Sequence, residues 1–182
     1  MSRTVDRFVL NLTSERADVL YRAAARVFGL PDWADVQAVL ETGSVGAIGP
    51  WVHERMRSNE GDLPARLVPR AADCNGTVAN RLVLSAAPGW VVVVEGPKHC
   101  VVELRTRGLS PEELRRVPMQ LHPLAHAIPP DTPLVSTARP GTGRTDFGPA
   151  GVFADMVDST LVETGFWPPG AVSGSRSFDA SV

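Results

Sequence analysis

The sequence predicts an α+β fold, in which N-terminal helices pack on a central antiparallel β-meander of three to five strands and further helices follow. Three short apolar segments predict the meander: Arg81–Ala87, Trp90–Glu95 and Cys100–Arg105. The links between them, Ala-Pro-Gly and Gly-Pro-Lys-His, are too short for parallel crossovers, which need a dozen residues or more. The second segment is apolar almost throughout, which predicts a central strand covered on both faces. Helical periodicity before the meander and a capping pattern directly after it predict the α part.

Two N-terminal helices are predicted from apolar residues at helical spacing and from residues typical of helix ends. The first has Thr13 or Ser14 as its N-cap, whose hydroxyl can accept a free first-turn N–H, and it ends before Gly29. The second follows Asp32 and ends before Gly43. Glycine at such an end adopts the left-handed conformation that terminates helices. A small-residue linker, Gly-Ser-Val-Gly-Ala-Ile-Gly, follows, and a third helix is predicted from Pro50, with proline at its first position.

Further strands, a loop and a C-terminal helix are predicted from the residue types of the remaining segments. Short strands are expected at Arg7–Leu12, at residues 65–71 and at residues 133–140. Pro69 cannot donate to a strand ladder, so the strand that contains it is expected at an edge of the sheet. Residues 140–151 are predicted as a loop, and residues 151–167 as a helix.

Length and composition indicate one globular domain. A chain of 182 residues buries roughly 70% of the surface that it exposes when unfolded. We expect residues 1–167 to form a single α+β domain, with a helical part over 1–60 and a sheet-containing part over 61–167. Residues 168–182 are rich in serine, glycine and proline and are expected to form a loosely ordered tail.

The helix after the meander has the clearest local signal in the chain. Ser110 is its predicted N-cap, Pro111 takes the first helical position, and Glu113 completes a capping box. Pro118 is expected to interrupt this helix, because proline lacks the N–H that the helical ladder needs.

His122 and His126 are candidate catalytic residues and lie four positions apart, a spacing that places both on one face of a helix. Two such histidines can hold a metal ion, and a third ligand could come from His53, Cys74 or Cys100. The spacing selects none of these three residues. The sequence therefore assigns no metal site and no cofactor, and it leaves a polar contact or a helix end as the interpretation of the pair.

The two cysteines and the only lysine give weaker candidates. Cys74, in an Asp-Cys-Asn-Gly turn, is a candidate nucleophile that would need a histidine from elsewhere in the fold. Lys98 and His99 precede Cys100 and are candidate binding residues. Because neighbouring strand residues face opposite sides, we interpret this stretch as a hairpin bend with a solvated lysine and a buried thiol.

Arginine and tryptophan residues supply the candidate binding surface. Arg139 and Arg144 flank a glycine-rich segment, where they could clamp a carboxylate or a phosphate through bidentate hydrogen bonds. Trp167, in Gly-Phe-Trp-Pro-Pro-Gly, is a candidate exposed anchor, because tryptophan and arginine are enriched at interface hot spots.

Two functional hypotheses follow from the sequence. The first is a non-catalytic protein-interaction protein of a GC-rich, actinobacterial-type bacterium, such as an immunity protein or a secretion chaperone. The alternative is a small enzyme, of secondary metabolism for example, that uses His122, His126 or a cysteine in a pocket beside the sheet. The GC-rich source is inferred from composition: 17 of the 18 basic residues are arginine, and arginine, alanine, glycine and proline all have GC-rich codons.

The expected partners follow from charge and hydropathy. The net charge of −2 gives no basic field for nucleic acid, so nucleic acid is not an expected partner. Neither a membrane-spanning run nor a signal peptide is recognised, which predicts a cytoplasmic protein without membrane contact. A protein partner is expected. The sequence does not decide whether the protein binds a small molecule or forms a homodimer.

Overall fold

A computed structural model describes residues 10–58, 63–69, 80–137 and 144–163. This part of the chain contains seven strands, five α-helices and one short 3₁₀ helix at Val45–Ile48. The strands are β1 (Leu10–Ser14), β2 (Ala65–Pro69), β3 (Asn80–Ala87), β4 (Trp90–Glu95), β5 (His99–Leu104), β6 (Pro133–Thr137) and β7 (Arg144–Pro149). The helices are α1 (Ala17–Phe28), α2 (Trp33–Thr42), α3 (Gly49–Ser58), α4 (Pro111–Ala127) and α5 (Ala150–Glu163). The predicted α+β class is confirmed.

The seven strands form one antiparallel sheet in the order β2-β3-β4-β5-β1-β6-β7. The consecutive strands β2 to β5 form a four-stranded meander, and β1, β6 and β7 extend it to a sheet of seven. The predicted meander is therefore only part of the sheet, and β7 lies within the predicted loop 140–151. β5 and β6 both run antiparallel to β1, so they are parallel to each other. Two strands of a sheet that run in the same direction need a long crossover connection, and α4 lies in the connection from β5 to β6. β2 is an edge strand, as its proline predicts.

One face of the sheet is buried and the other is half-buried. Along β4, Trp90, Val92 and Val94 are fully buried, whereas Val91 and Val93 are half-buried. The prediction that this strand is covered on both faces is therefore wrong, since successive side chains point to opposite faces. α1 contacts β1, β4 and β5, α2 contacts β3, and α5 contacts β6 and β7. One cluster of buried side chains joins α1, α2, α4 and α5 to the sheet.

The N-terminal helices end where the sequence predicts. Gly29 and Gly43 take left-handed conformations with φ of 64° and 68°, and Asp32 is the N-cap residue of α2. The start of α1 differs, because its N-cap is Arg16 and not Thr13 or Ser14. Both of those residues belong to β1, whose pairing with β5 takes their backbone groups.

α4 is one continuous helix, and the predicted interruption at Pro118 is wrong. Its N-terminus has the predicted capping box: the Glu113 N–H donates to Ser110 Oγ at 3.2 Å, and the Ser110 N–H donates to Glu113 Oε2 at 2.8 Å. The helix continues through Pro118 and Pro123 to Ala127. Each internal proline costs a hydrogen bond, but α4 packs against both α1 and α5. Tertiary contacts thus override a local breaking signal.

The β4–β5 connection is a tight hairpin. Gly96 has φ of 63°, Lys98 and His99 are exposed, and Cys100 is buried, which is the arrangement expected for a bend. None of the helices in the described ranges has the length and hydrophobicity that a membrane span requires. The single domain over 1–167 and the tail over 168–182 stay predictions, since residues 164–182 lie outside the described part.

Candidate metal centre

The packing of α4 against α5 brings together three side chains that are distant in sequence. On α4, Leu124 and Ala125 are buried, and His122 and His126 lie beside them on the flank of the helix. The two histidines are one turn apart, and their ring centroids are 4.4 Å from each other. Asp158 of α5 faces both rings. The i, i+4 pair predicted from the sequence therefore exists, and it lies at a helix–helix contact.

The Asp158 carboxylate contacts both imidazoles. His122 Nδ1 lies 3.0 Å from Asp158 Oδ1. His126 Nε2 lies 2.9 Å from the same oxygen and 3.1 Å from Oδ2. When these nitrogens bear hydrogen, both rings donate to the one carboxylate, and the hydrogen bonds join α4 to α5. When they do not, all three groups present lone pairs at the same place.

Asp158 is the site residue that the sequence analysis missed. The buried residues of α5 form a stripe at helical spacing, and Asp158 lies on it, with 8% of the whole residue exposed. The other members of the stripe are Ala150, Phe153, Ala154, Val157 and Leu161. A carboxylate on the buried stripe of a helix is rare without a partner. The acidic residue on an apolar stripe could have marked Asp158 as a site residue, but it does not indicate which side chains Asp158 contacts.

The three donor atoms have the spacing that a small metal ion needs. His122, His126 and Asp158 each offer one ligand atom, and these atoms all lie within 4.8 Å of one another. Donors that bind Zn²⁺ tetrahedrally at about 2.0–2.1 Å lie about 3.3 Å apart. The two nitrogen–oxygen separations of 3.0 and 2.9 Å are close to that value. The separation between the two ring nitrogens is bounded only by the 4.8 Å limit, so binding of an ion would require the side chains to adjust.

The cluster lies at the protein surface, and its carboxylate is less exposed than its two imidazoles. The side chains of His122 and His126 are each 32% exposed, and that of Asp158 is 12% exposed. Solvent therefore reaches the site past the partly exposed imidazoles rather than past the carboxylate.

The other proposed third ligands do not join the cluster. His53 is exposed on α3, and Cys100 is buried in β5. Burial raises the pKa of the Cys100 thiol, which favours the protonated form that neither attacks substrates nor binds metals. Neither of these two possible third ligands is a member of the cluster. Cys74, the third possibility, lies outside the described residues.

The predicted binding residues do not gather at the metal cluster. Lys98 and His99 are exposed at the β4–β5 hairpin and are not members of the cluster. Arg144 begins β7, where only its backbone is described. Arg139 and Trp167 lie outside the described residues. The roles proposed for these five residues stay predictions.

A surface cavity of about 500 Å³ lies at the end of the sheet where β4 begins and β5 ends. Its charged lining consists of Arg105, Arg107 and Glu113. A hydrogen bond from Arg105 to Glu103 at 2.9 Å raises the pKa of the guanidinium. Neither histidine of the cluster lines this cavity. The pocket beside the sheet and the histidine pair are therefore separate features.

Comparison of the chain with protein-family models, with curated proteins and with solved structures finds no match. The interpretation of the cluster therefore depends on its own geometry and chemistry.

Proposed function

We propose that this protein binds a divalent transition-metal ion through His122, His126 and Asp158. The supporting observation is the convergence of two imidazole nitrogens and a carboxylate from two helices, with ligand atoms within 4.8 Å of one another. Imidazole and carboxylate are the ligands that three-residue zinc sites use. The two histidines are those of the alternative hypothesis of a small enzyme, and Asp158 is a ligand that the sequence did not indicate.

The donor set favours one class of ion. Calcium and magnesium prefer oxygen ligands, and two of the three donors here are nitrogens. Imidazole suits zinc, copper, nickel, cobalt and iron. Zinc is the natural first choice, because it accepts this mixture of donors without a strong geometric preference.

A purely structural role for the three side chains is the competing explanation. In that case the hydrogen bonds from the histidines to Asp158 hold α4 against α5, and no ion is involved. The two explanations differ in one measurable property, since only a metal site binds zinc with one ion per chain.

Zinc binding by the chelator-treated full-length protein tests the proposal. Isothermal titration calorimetry and equilibrium dialysis with elemental analysis are expected to give one tight site per chain. His122→Ala, His126→Ala and Asp158→Asn are each expected to weaken binding on the order of 100-fold or more. The histidine variants remove a direct ligand, and Asp158→Asn replaces an anionic ligand by a weak neutral one.

His53→Ala and His99→Ala are matched controls for the zinc titration, since both residues are exposed histidines away from the cluster. Both control variants are expected to keep the affinity of the unaltered protein. Absence of a stoichiometric site, or equal loss in the controls, would contradict the proposal.

A protein-interaction role is the second candidate function, and the half-buried face of the sheet supports it. Val83, Val93 and Val101 lie side by side on neighbouring strands of that face. Ion pairs flank this valine row, with 3.8 Å between Arg81 and Glu95 and 2.9 Å between Arg105 and Glu103. Each flanking ion pair is internally neutral, so the two pairs add no net charge to the face that a second copy would meet. We therefore propose that the partner at this face is a second copy of the chain. Arg66, exposed on β2 opposite Val83, is a charge on this face that the second copy would have to accommodate.

Light scattering coupled to size-exclusion chromatography tests the dimer. The unaltered protein is expected to give a dimer mass that Val93→Ser reduces to the monomer mass. Val45→Ser is the matched control, since Val45 is 39% exposed on the 3₁₀ helix. A monomer mass at every concentration would refute the dimer. The broader role as a cytoplasmic immunity protein or secretion chaperone would then need a partner other than this chain.

A further inference from the structure

We propose that the ion held by His122, His126 and Asp158 keeps at least one coordination position that exchanges with water or a small anion. This inference rests on the proposed metal binding and deepens it, because it assigns the site to the open class of metal centres. An open site activates a bound molecule as a Lewis acid, whereas a closed site only stabilises the fold.

The number of protein donors is the first observation that supports an open position. Within the described residues, the group of potential ligands contains three side chains, each with one ligand atom. A tetrahedral ion has four positions, so three donors leave one to a molecule from solvent. Structural zinc sites in proteins fill all four positions with protein side chains, and catalytic sites use three.

The exposure of the cluster is the second observation. Both histidine side chains are 32% exposed, whereas the Asp158 side chain is 12% exposed. The protein thus covers the carboxylate side of the site and leaves the imidazole side open. Met119, one helical turn before His122, is 48% exposed, so the surface of α4 next to the site is also open to solvent. Water and small anions can reach an ion at this place.

The position of the three donors on only two elements is the third observation. α4 supplies both nitrogens at i and i+4, and α5 supplies the oxygen. Three donors that come from one flank of a helix pair occupy one side of an ion. Each histidine side chain is partly exposed, so a position on the ion that neither helix fills is within reach of solvent.

Cobalt substitution provides the test, because the visible absorption of Co²⁺ depends on the number and type of its ligands. The full-length protein is loaded with one equivalent of Co²⁺, and azide is then added in increasing concentration. An open position predicts a saturable change in the visible bands as azide replaces water. The same change is expected for His53→Ala, a variant that leaves the site intact.

The outcomes separate this inference from the metal binding on which it rests. If Co²⁺ binds one to one and the Asp158→Asn variant loses it, but azide leaves the spectrum unchanged, the open position is refuted and the metal site stands. A thiolate-to-cobalt band that disappears in Cys74→Ser would also refute the open position, because it would identify a fourth protein ligand. If Co²⁺ does not bind, the metal site fails and the open position fails with it.

Discussion

Metal binding between α4 and α5 is expected to raise the melting temperature of the protein by a predictable amount. The ion would join His122 and His126 to Asp158, which lies 36 and 32 positions further along the chain. The unfolded chain does not hold these donors together, so binding stabilises the folded state selectively. At a free zinc concentration 100 times the dissociation constant, the stabilisation is about 2.7 kcal/mol. For a chain of this length, that free energy corresponds to a rise of about 5–11 °C.

The assay is calorimetric or circular-dichroism melting, in EDTA and in a zinc buffer of fixed free concentration. Asp158→Asn replaces the charged carboxylate of α5 by a neutral amide, a much weaker zinc ligand, so most of the rise is expected to disappear. His99→Ala, at an exposed position outside the cluster, is expected to keep the full rise. An unchanged melting temperature of the zinc-saturated protein, or an equal rise in Asp158→Asn, would refute the reasoning.

Three further predictions concern the scaffold that holds the site. Gly89→Ala is expected to lower the free energy of unfolding in urea by more than about 1 kcal/mol, because φ is 81° and a β-carbon would lie 2.8 Å from the backbone oxygen of Arg105. An unchanged midpoint would contradict this close contact. Ser110→Ala removes the cap of α4 and is expected to cost about 1 kcal/mol in the same assay, whereas Ser110→Thr keeps most of it. Burial raises the pKa of the Cys100 thiol. In the Cys74→Ser variant, where Cys100 is the remaining cysteine, this thiol is expected to react slowly with a disulfide reagent at pH 8 in the folded protein and fully after unfolding. The folded thiol also keeps its proton above the ordinary pKa of about 8.5, so its contribution to the free energy of unfolding falls as the pH rises through that value.

Features that depend on a few neighbouring residues were predictable from the sequence. The ends of α1 and α2 follow from Gly29 and Gly43, whose left-handed conformation is a local preference of glycine. The capping box at Ser110 involves residues three positions apart, so its signal lies within a single turn. The β3–β4–β5 meander was equally predictable, because its links are too short for any other pairing.

Features that depend on residues far apart in the chain required the tertiary structure. The sequence placed His122 and His126 four positions apart, but Pro118 and Pro123 favoured an interruption of the helix. Packing of α4 against α1 and α5 maintains one continuous helix and keeps the pair on one flank. Asp158 could be recognised as a misplaced charge on an apolar stripe, but not as a partner of either histidine.

The sequence by itself determined the α+β class, the meander, most helix ends and the two histidines of the site. The tertiary structure decided that β1 lies between β5 and β6, which makes α4 a crossover helix. It also decided that α5 lies beside α4, with Asp158 within 3.0 Å of both imidazoles. The physical reason is one of range: capping and turn formation depend on residues a few positions apart, whereas the ligand set depends on how two helices pack in three dimensions.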